Sequence, residues 1–200
     1  MNGAVHGAIL AGGGATRMAG APKGLLEVGG QRILDRLVTT FEAAFGELPL
    51  LVANAAGATA WRGDLRVVAD SRPGCGTLGG LLTAVLRAPA PVVCVAWDMP
   101  FVVPGLLRRL ADGLAVADVC IPASGGRRGM EPLCAAYGPR CGPAMAAALD
   151  RGDLRAVGFH DSVRVALLPE SAVREYGEPE QLFFNVNTAD ELVRANGMTS

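Results

Sequence analysis

Long hydrophobic runs are missing from this 200-residue chain: half of its residues are apolar, yet Pro, Gly or charge interrupts every run before the roughly 20 residues a membrane-spanning helix needs. The expectation is a soluble protein with no membrane partner. Met1 to Gly7 offers only His6 as a cation and opens no sustained apolar stretch with a cleavage site, so no secretory leader is expected and the expected compartment is the cytoplasm. An excess of either charge is also lacking. Eighteen basic against nineteen acidic side chains leave a net charge of −1, which gives no cationic field for a polynucleotide backbone. Nucleic acid is therefore not an expected partner.

Paired CxxC spacing is absent from the five cysteines, Cys75, Cys94, Cys120, Cys134 and Cys141, and their odd number argues against a disulfide framework. They read as reduced thiols. Cys94, Cys120 and Cys134 sit in apolar strand-like runs and suit small core positions, whereas Cys75 falls in a glycine loop and is expected to be more exposed. Only two histidines occur, His6 and His160, with no cysteine or carboxylate at metal-ligand spacing, so neither is assigned a role. No internal repeat or low-complexity linker divides the chain, and its length suits one domain with a substantial core.

What is present is a strand–helix rhythm. Apolar runs recur at 5–10, 48–53, 65–69, 92–96 and 119–122, and between them Ile33, Leu34, Leu37, Val38 and Phe41 follow helical spacing, as does the Leu- and Ala-rich segment 78–87. This alternation predicts an α/β fold with a mostly parallel, doubly wound sheet in three layers. After Ile121 the rhythm changes to a polar turn at 124–129 and an extended stretch at 131–137. Pro139 and Pro143 precede a helix at 144–149, a strand is expected at 163–168 and a helix at 189–195, and the polar tail 195–200 is expected to fray. In such a fold ligands bind beyond the carboxyl ends of the strands, where loops beginning at Ala11, Asn54, Asp70 and Asp98 should converge.

The first of these loops, LAGGGATRMAGAPK from Leu10 to Lys23, carries three adjacent glycines before an arginine and the lysine. Gly12, Gly13 and Gly14 have no Cβ to hold a ligand away from the backbone, and exposed amides in such a turn attract anions. Arg17 and Lys23 add positive charge suited to phosphate oxygens. Neither familiar glycine motif fits: Lys23 follows Pro22 and precedes Gly24, unlike a Walker loop, and a dinucleotide fingerprint starting at Gly12 would need a small residue where Arg17 stands. A tight strand-to-helix turn would use the same glycines, and the two cations favour a nucleoside triphosphate.

Asp98 ends an apolar run and is followed by Met99-Pro100, which stops the strand and leaves a carboxylate facing the crevice. Magnesium takes one or two such carboxylates together with substrate phosphates, although an aspartate here would equally suit a helix cap. Asp70 follows a strand and by itself is an ordinary turn aspartate. Asn185 and Asn187 alternate with Val186, so an extended backbone would point both amides to one face; the alternative is a turn in which Asn187 or Thr188 caps the last helix.

LAGG, Arg17-Met18 and Lys23, followed in order by ADSRPGCGTLGGLLTAV (69–85), VAWDMPFV (95–102) and FNVNTADEL (184–192), resemble the signature of the nucleotidyltransferases, and within them the molybdenum cofactor guanylyltransferase family. The resemblance spans nearly the whole chain and implies a Rossmann-like nucleotidyltransferase domain, with a nucleotide-binding part at about 1–100 and a pterin-substrate part at about 101–195. It implies magnesium-dependent transfer of GMP from GTP to the terminal phosphate of molybdopterin cofactor, with molybdoenzyme apo-proteins or other cofactor-biosynthesis proteins as possible recipients. Carried over residue by residue, it places Leu10, Ala11, Gly12, Gly13, Lys23, Asn54, Asp70, Gly79 and Asp98 against the nucleotide. Arg17, Lys23 and Asp98 would act in catalysis, Asp98 would hold the metal, and Asn185 and Asn187 would lie near the pterin. Arg127 and Arg128 could clamp its phosphate. Gly12-Gly13 after Ala11 resembles guanylyl rather than cytidylyl enzymes. Ala19 and Pro22 depart from the family pattern, which leaves cytidylyl and sugar-phosphate transferases open, and with them a noncatalytic nucleotide-binding module.

Overall fold

The computed structural model describes residues 5–12, 17–18, 21–125 and 129–199, with backbone alone at 17, 18 and 21. A seven-stranded sheet forms its centre: β1 (His6–Ala11), β2 (Leu50–Ala53), β3 (Val67–Val68), β4 (Val92–Ala96), β5 (Val119–Pro122), β6 (Cys134–Tyr137) and β7 (Val165–Leu168), in the order β7-β5-β6-β4-β1-β2-β3. All neighbours are parallel except β6, which runs antiparallel to both β4 and β5. The expected mostly parallel sheet is thus present, and the change of rhythm after Ile121 is the point where a reversed strand, β6, enters the seven-stranded sheet.

Buried alternation along the strands feeds two separate helical layers. In β1, Ile9 and Ala11 face the layer of α1 (Ile33–Phe45) and α3 (Pro104–Asp112), while Ala8 and Leu10 face α2 (Gly76–Arg87) and α4 (Cys141–Asp150). The period-2 geometry of a strand requires this division, and a parallel strand covered on both faces is apolar at every position. The α1 face is the one its spacing predicts: Ile33, Leu34, Leu37, Val38 and Phe41 are all buried, each contributing about 1.5–3 kcal/mol by removal from water. Gly46, at φ +75°, ends that helix in the left-handed conformation typical of a glycine cap. Phe41 lies so close to β1 that a Cβ on Gly7 would come within 2.3 Å of its ring.

Several boundaries move from their expected places. The strands expected at 48–53 and 65–69 shorten to β2 and β3, because Leu48, Pro49 and Arg66 lie outside the paired register. Helix α4 starts at Cys141, ahead of Pro143, which is tolerated within the first turn because amides there have no intrahelical partner. The tail does not fray as expected. α5 (Glu170–Val173) and α6 (Pro179–Leu182) lead to α7 (Ala189–Gly197), where Ala195 is buried, Asn196 bonds to a ribbon near the N-terminus and Thr199 packs over Gly29. Polarity of the tail misled the sequence reading, because the tail's partners are backbone groups far away in sequence.

Chain direction sets the site. From β1 the chain runs by α1 to β2 on one side, and from β4 by α3 to β5 and β6 on the other, so β1 and β4 flank the topological switch point. Among the described residues no helix is long and apolar enough to cross a membrane.

Candidate active site

A cleft of 510 Å³ opens at that switch point, and the ends of all four predicted strands supply its lining. Leu10, Ala11 and Gly12 close β1, Val52 and Asn54 close β2, Asp70 follows β3, and Ala96, Trp97 and Asp98 close β4. Gly74, Gly76, Thr77 and Gly80 bring in the entry to α2, and Leu133 and Asn185 complete the wall. A Cβ on Gly12 would meet no atom of the described residues within 4 Å, so none of them keeps a ligand from this backbone. Gly79 does not line the cleft. A Cβ there would come within 2.8 Å of Cys75 and 3.2 Å of the Arg72 carbonyl, and Gly80, one residue further on, lines the cleft instead.

Asn54 and Asp70 form a reciprocal pair: the Asn54 amide donates to Asp70 Oδ2 at 2.6 Å, and the Asp70 backbone N–H donates to Asn54 Oδ1 at 2.7 Å. Two turns after different strands are thereby fixed to one another on the cleft wall. Behind them the wholly buried Thr83 hydroxyl accepts from Ser71 N–H and donates to the Gly79 carbonyl, both at 2.8 Å, tying the glycine loop to α2.

Asp98 does not cap a helix, because α3 begins at Pro104 with Val103 before it. Its Oδ2 lies 3.8 Å from Lys23 Nζ, and its Oδ1 is buried with no hydrogen-bond partner among the described residues. Burial pushes the carboxyl above the usual carboxylate range; the Lys23 charge pulls it back, and Glu191 opposes Lys23. An oxygen buried without a donor is costly, and a hard cation is one group that would satisfy it.

Lys23 sits in a short 3-10 turn (Lys23–Leu25) that follows Pro22, with only 5% of its surface exposed, and its ammonium donates to Asn187 Oδ1 at 2.5 Å. The turn is anchored from beneath by tight packing: a Cβ on Gly24 would come within 2.4 Å of the Trp97 ring, which stacks on Trp61 at 5.1 Å. The segment 185–187 is held beside Asp98 because the Val186 N–H donates to the Asp98 carbonyl at 2.9 Å. Val186 is buried and Asn185 reaches the cleft, while Asn187 turns to Lys23. Helix capping is also present, carried by Thr188 in a capping box with Glu191.

Gly13, Arg127 and Arg128 lie outside the described residues, as do Gly14, Ala19 and the Arg17 side chain. The glycine loop 76–80, which the family resemblance places against the base, does reach the cleft at Gly76, Thr77 and Gly80, whereas sequence reasoning passed over Leu133 as a lining residue, and Glu191. The T-x-x-E spacing of a capping box was the available signal for Glu191, and Lys23 carried another in being the only lysine of the chain.

A cleft at the switch point with carboxylates at two strand ends and glycine backbone along its walls defines a nucleotide-handling α/β protein. Residues 7–164 match the family model for the MobA-like NTP transferase domain. A relative from Pelotomaculum thermopropionicum, named a probable molybdenum cofactor guanylyltransferase, is 35% identical over 96% of this chain and 92% of its own length. Another, from Desulfosudis oleivorans and named molybdenum cofactor guanylyltransferase, is 28% identical over 96% of this chain and 94% of its own. The solved structure of molybdopterin-guanine dinucleotide biosynthesis protein A from Archaeoglobus fulgidus is similar with a TM-score of 0.80 at 26% identity, covering 96% of this chain and 97% of that one. The chain belongs to the MobA-like NTP transferase family and is a nucleotidyltransferase.

Proposed function

We propose that this enzyme transfers GMP from GTP to the terminal phosphate of molybdopterin cofactor. An acceptor phosphate oxygen forms a bond to the α-phosphorus of GTP, the bond from that phosphorus to the bridging oxygen of the β-phosphate breaks, and pyrophosphate leaves with the electron pair. The observation that carries the reading is Asp98: a strand-end carboxylate lining the cleft, with one oxygen beside Lys23 and the other buried without a partner among the described residues. The names of the relatives supply guanine and the cofactor as donor and acceptor chemistry.

Both reactants are anions, so alignment and neutralisation of charge are the main requirements and no covalent protein intermediate is needed. Asp98 would hold a divalent cation, magnesium in this reading, which when bound supplies positive charge against the α-phosphate. Lys23 and Arg17 stabilise the departing pyrophosphate, and the Leu10–Gly12 backbone and the Asn54–Asp70 pair bind the nucleotide. Gly79, which is not in the cleft lining, serves the nucleotide only by holding the loop through its carbonyl, which accepts from the Thr83 hydroxyl. Asn185 and Asn187 face the acceptor. On this reading residues 1–100 serve the nucleotide and 101–195 the pterin, with both meeting at Asp98, and the product passes to molybdoenzyme apo-proteins or other proteins of cofactor assembly. The cytoplasm is the compartment proposed.

Thermal stability with magnesium and each of GTP, CTP, ATP and UTP tests the donor. GTP at a hundred times its dissociation constant should add about 2.7 kcal/mol, with pyrophosphate release appearing only when the pterin acceptor is supplied. A shift selective for CTP would replace guanylyl by cytidylyl transfer, and binding without pyrophosphate release would leave a noncatalytic module.

A further inference from the structure

Helix α7 contributes no side chain to the cleft lining, yet it is fastened at both ends to the segment that carries Lys23. At its far end Asn196 Oδ1 accepts from the Gly29 N–H at 3.0 Å, and Asn196 Nδ2 donates to the Glu27 carbonyl at 3.3 Å. Glu27–Val28 and Gln31–Arg32 form a two-stranded ribbon turned by Gly29 and Gly30, both at positive φ, directly after the Lys23 turn. At its near end Glu191 Oε2 accepts from the Thr188 N–H at 2.9 Å, which belongs to the capping box, and from the Asn187 N–H at 2.7 Å, which does not. That surplus bond fixes the backbone of the residue whose side chain holds the Lys23 ammonium.

We propose that Glu191 is a positioning residue: by clamping the Asn187 amide it sets Lys23 beside Asp98. The proposal rests on the reading of Lys23 and Asp98 as part of the reacting centre. The three contacts form one unbroken path, from Glu191 Oε2 to the Asn187 backbone, from Asn187 Oδ1 to Lys23 Nζ at 2.5 Å, and from Lys23 to Asp98 Oδ2 at 3.8 Å. A lysine side chain has four rotatable bonds and strong hydration, so without a fixed acceptor its ammonium would not stay in this buried place. Glu191 does not line the cleft; its contacts on this path run through Asn187, and beyond them only its charge bears on the Asp98 carboxyl. Loss of the clamp should therefore reduce kcat more than it raises the KM for GTP.

Lys23 is the only lysine in the chain, so amine-directed reductive methylation reports on it alone apart from the N-terminus. The test compares the full-length wild type with Glu191→Ala, Glu191→Gln and Thr188→Ala, reading methylation of Lys23 by mass spectrometry, thermal stability, and pyrophosphate release from GTP with the pterin acceptor. Glu191→Ala should methylate at least about fivefold faster at Lys23 and lose about tenfold in kcat, the effect of one lost positioning hydrogen bond, with KM for GTP changed by less than about twofold. Glu191→Gln, whose amide oxygen can accept both N–H groups, should restore protection and most of kcat. Thr188→Ala breaks the cap from its other side; it should lower the melting temperature while Lys23 protection and kcat stay at the wild-type level. Should Glu191→Ala fail to fold, Glu191→Asp takes its place, because the shorter acid still suits the first helical turn but cannot span both amides. Wild-type Lys23 protection in Glu191→Ala or Glu191→Asp overturns the proposal, as does a Thr188→Ala variant that matches Glu191→Ala in methylation and kcat. Absence of pyrophosphate release from the wild type would count against the proposed function, and the methylation comparison would still decide the clamp.

Discussion

The two sides of the site are built on different principles. The wall proposed for the nucleotide, from Leu10–Gly12 through Asn54 and Asp70 to Gly80, is made of strand ends and the entry to α2, and its shape follows from the sheet register. The opposite side, Lys23 with Asn185–Glu191, is held by side-chain bonds between segments at the two ends of the chain. A wall of backbone tolerates change in single side chains as long as the sheet forms, whereas a side held by a few long-range bonds is lost with any one of them. Asp98 belongs to both: β4 places it, and Lys23 and Val186 reach it from the other side.

The sharpest way to break this comparison is at the shared residue. Asp98→Asn should reduce kcat by at least about a hundredfold, while stability without metal changes by less than about 1 kcal/mol because a buried charge is replaced by a neutral amide. Retained activity, measured as pyrophosphate release, would remove Asp98 from the reaction. Gly24→Ala comes next, since its methyl would enter the Trp97 ring at 2.4 Å. It should cost about 1–3 kcal/mol in chemical denaturation and displace Lys23, which increased methylation would report. Gly12→Ala is the matched experiment on the other wall, where the added methyl meets no atom of the described residues. Its stability should stay within about 0.5 kcal/mol of wild type, with the loss confined to GTP affinity, at about tenfold or 1.4 kcal/mol. Equal loss of stability in the two glycine variants would erase the distinction between an open wall and a packed support.

The smallest effect should lie away from both sides, at His160. Burial lowers its affinity for a proton below the ordinary value of 6.5, with Asp161 acting in the opposite direction. Because the unfolded chain then binds the proton more tightly, stability is unaffected above that value and falls as the pH drops through it, levelling off below the folded-state value. His160→Gln should flatten that part of the stability curve without altering nucleotide affinity. An unchanged acid slope in the variant would assign the pH dependence to other groups.

Much of the nucleotide wall was legible because its signals are local. Apolar runs that end in Gly12, Asn54, Asp70 and Asp98 announce strands and their exits, and an open α/β sheet has its crevice at those exits. The motif resemblance added the family, and the matched family model and relatives bear it out. The Lys23 side was less legible. The spacing of Asn185 and Asn187 allowed either two parallel amides or a helix cap, and the structure gives the two residues different tasks while Thr188 does the capping. The tail was misread for the same reason: Asn196 is a surface residue by composition and a fastening by position.

Sequence alone determined the strand and helix alternation, the glycine-rich wall, the strand-end carboxylates and the nucleotidyltransferase family, because each depends on residues that are neighbours along the chain or on motifs in a fixed order. Only the tertiary structure decided that Lys23 is buried against Asn187 and Asp98, that β6 runs against its neighbours, and that the last helix returns to brace the ribbon after the Lys23 turn. Those contacts join residues as many as 169 positions apart, and their formation depends on how the packed layers bring distant segments together, which neither local propensity nor periodicity encodes.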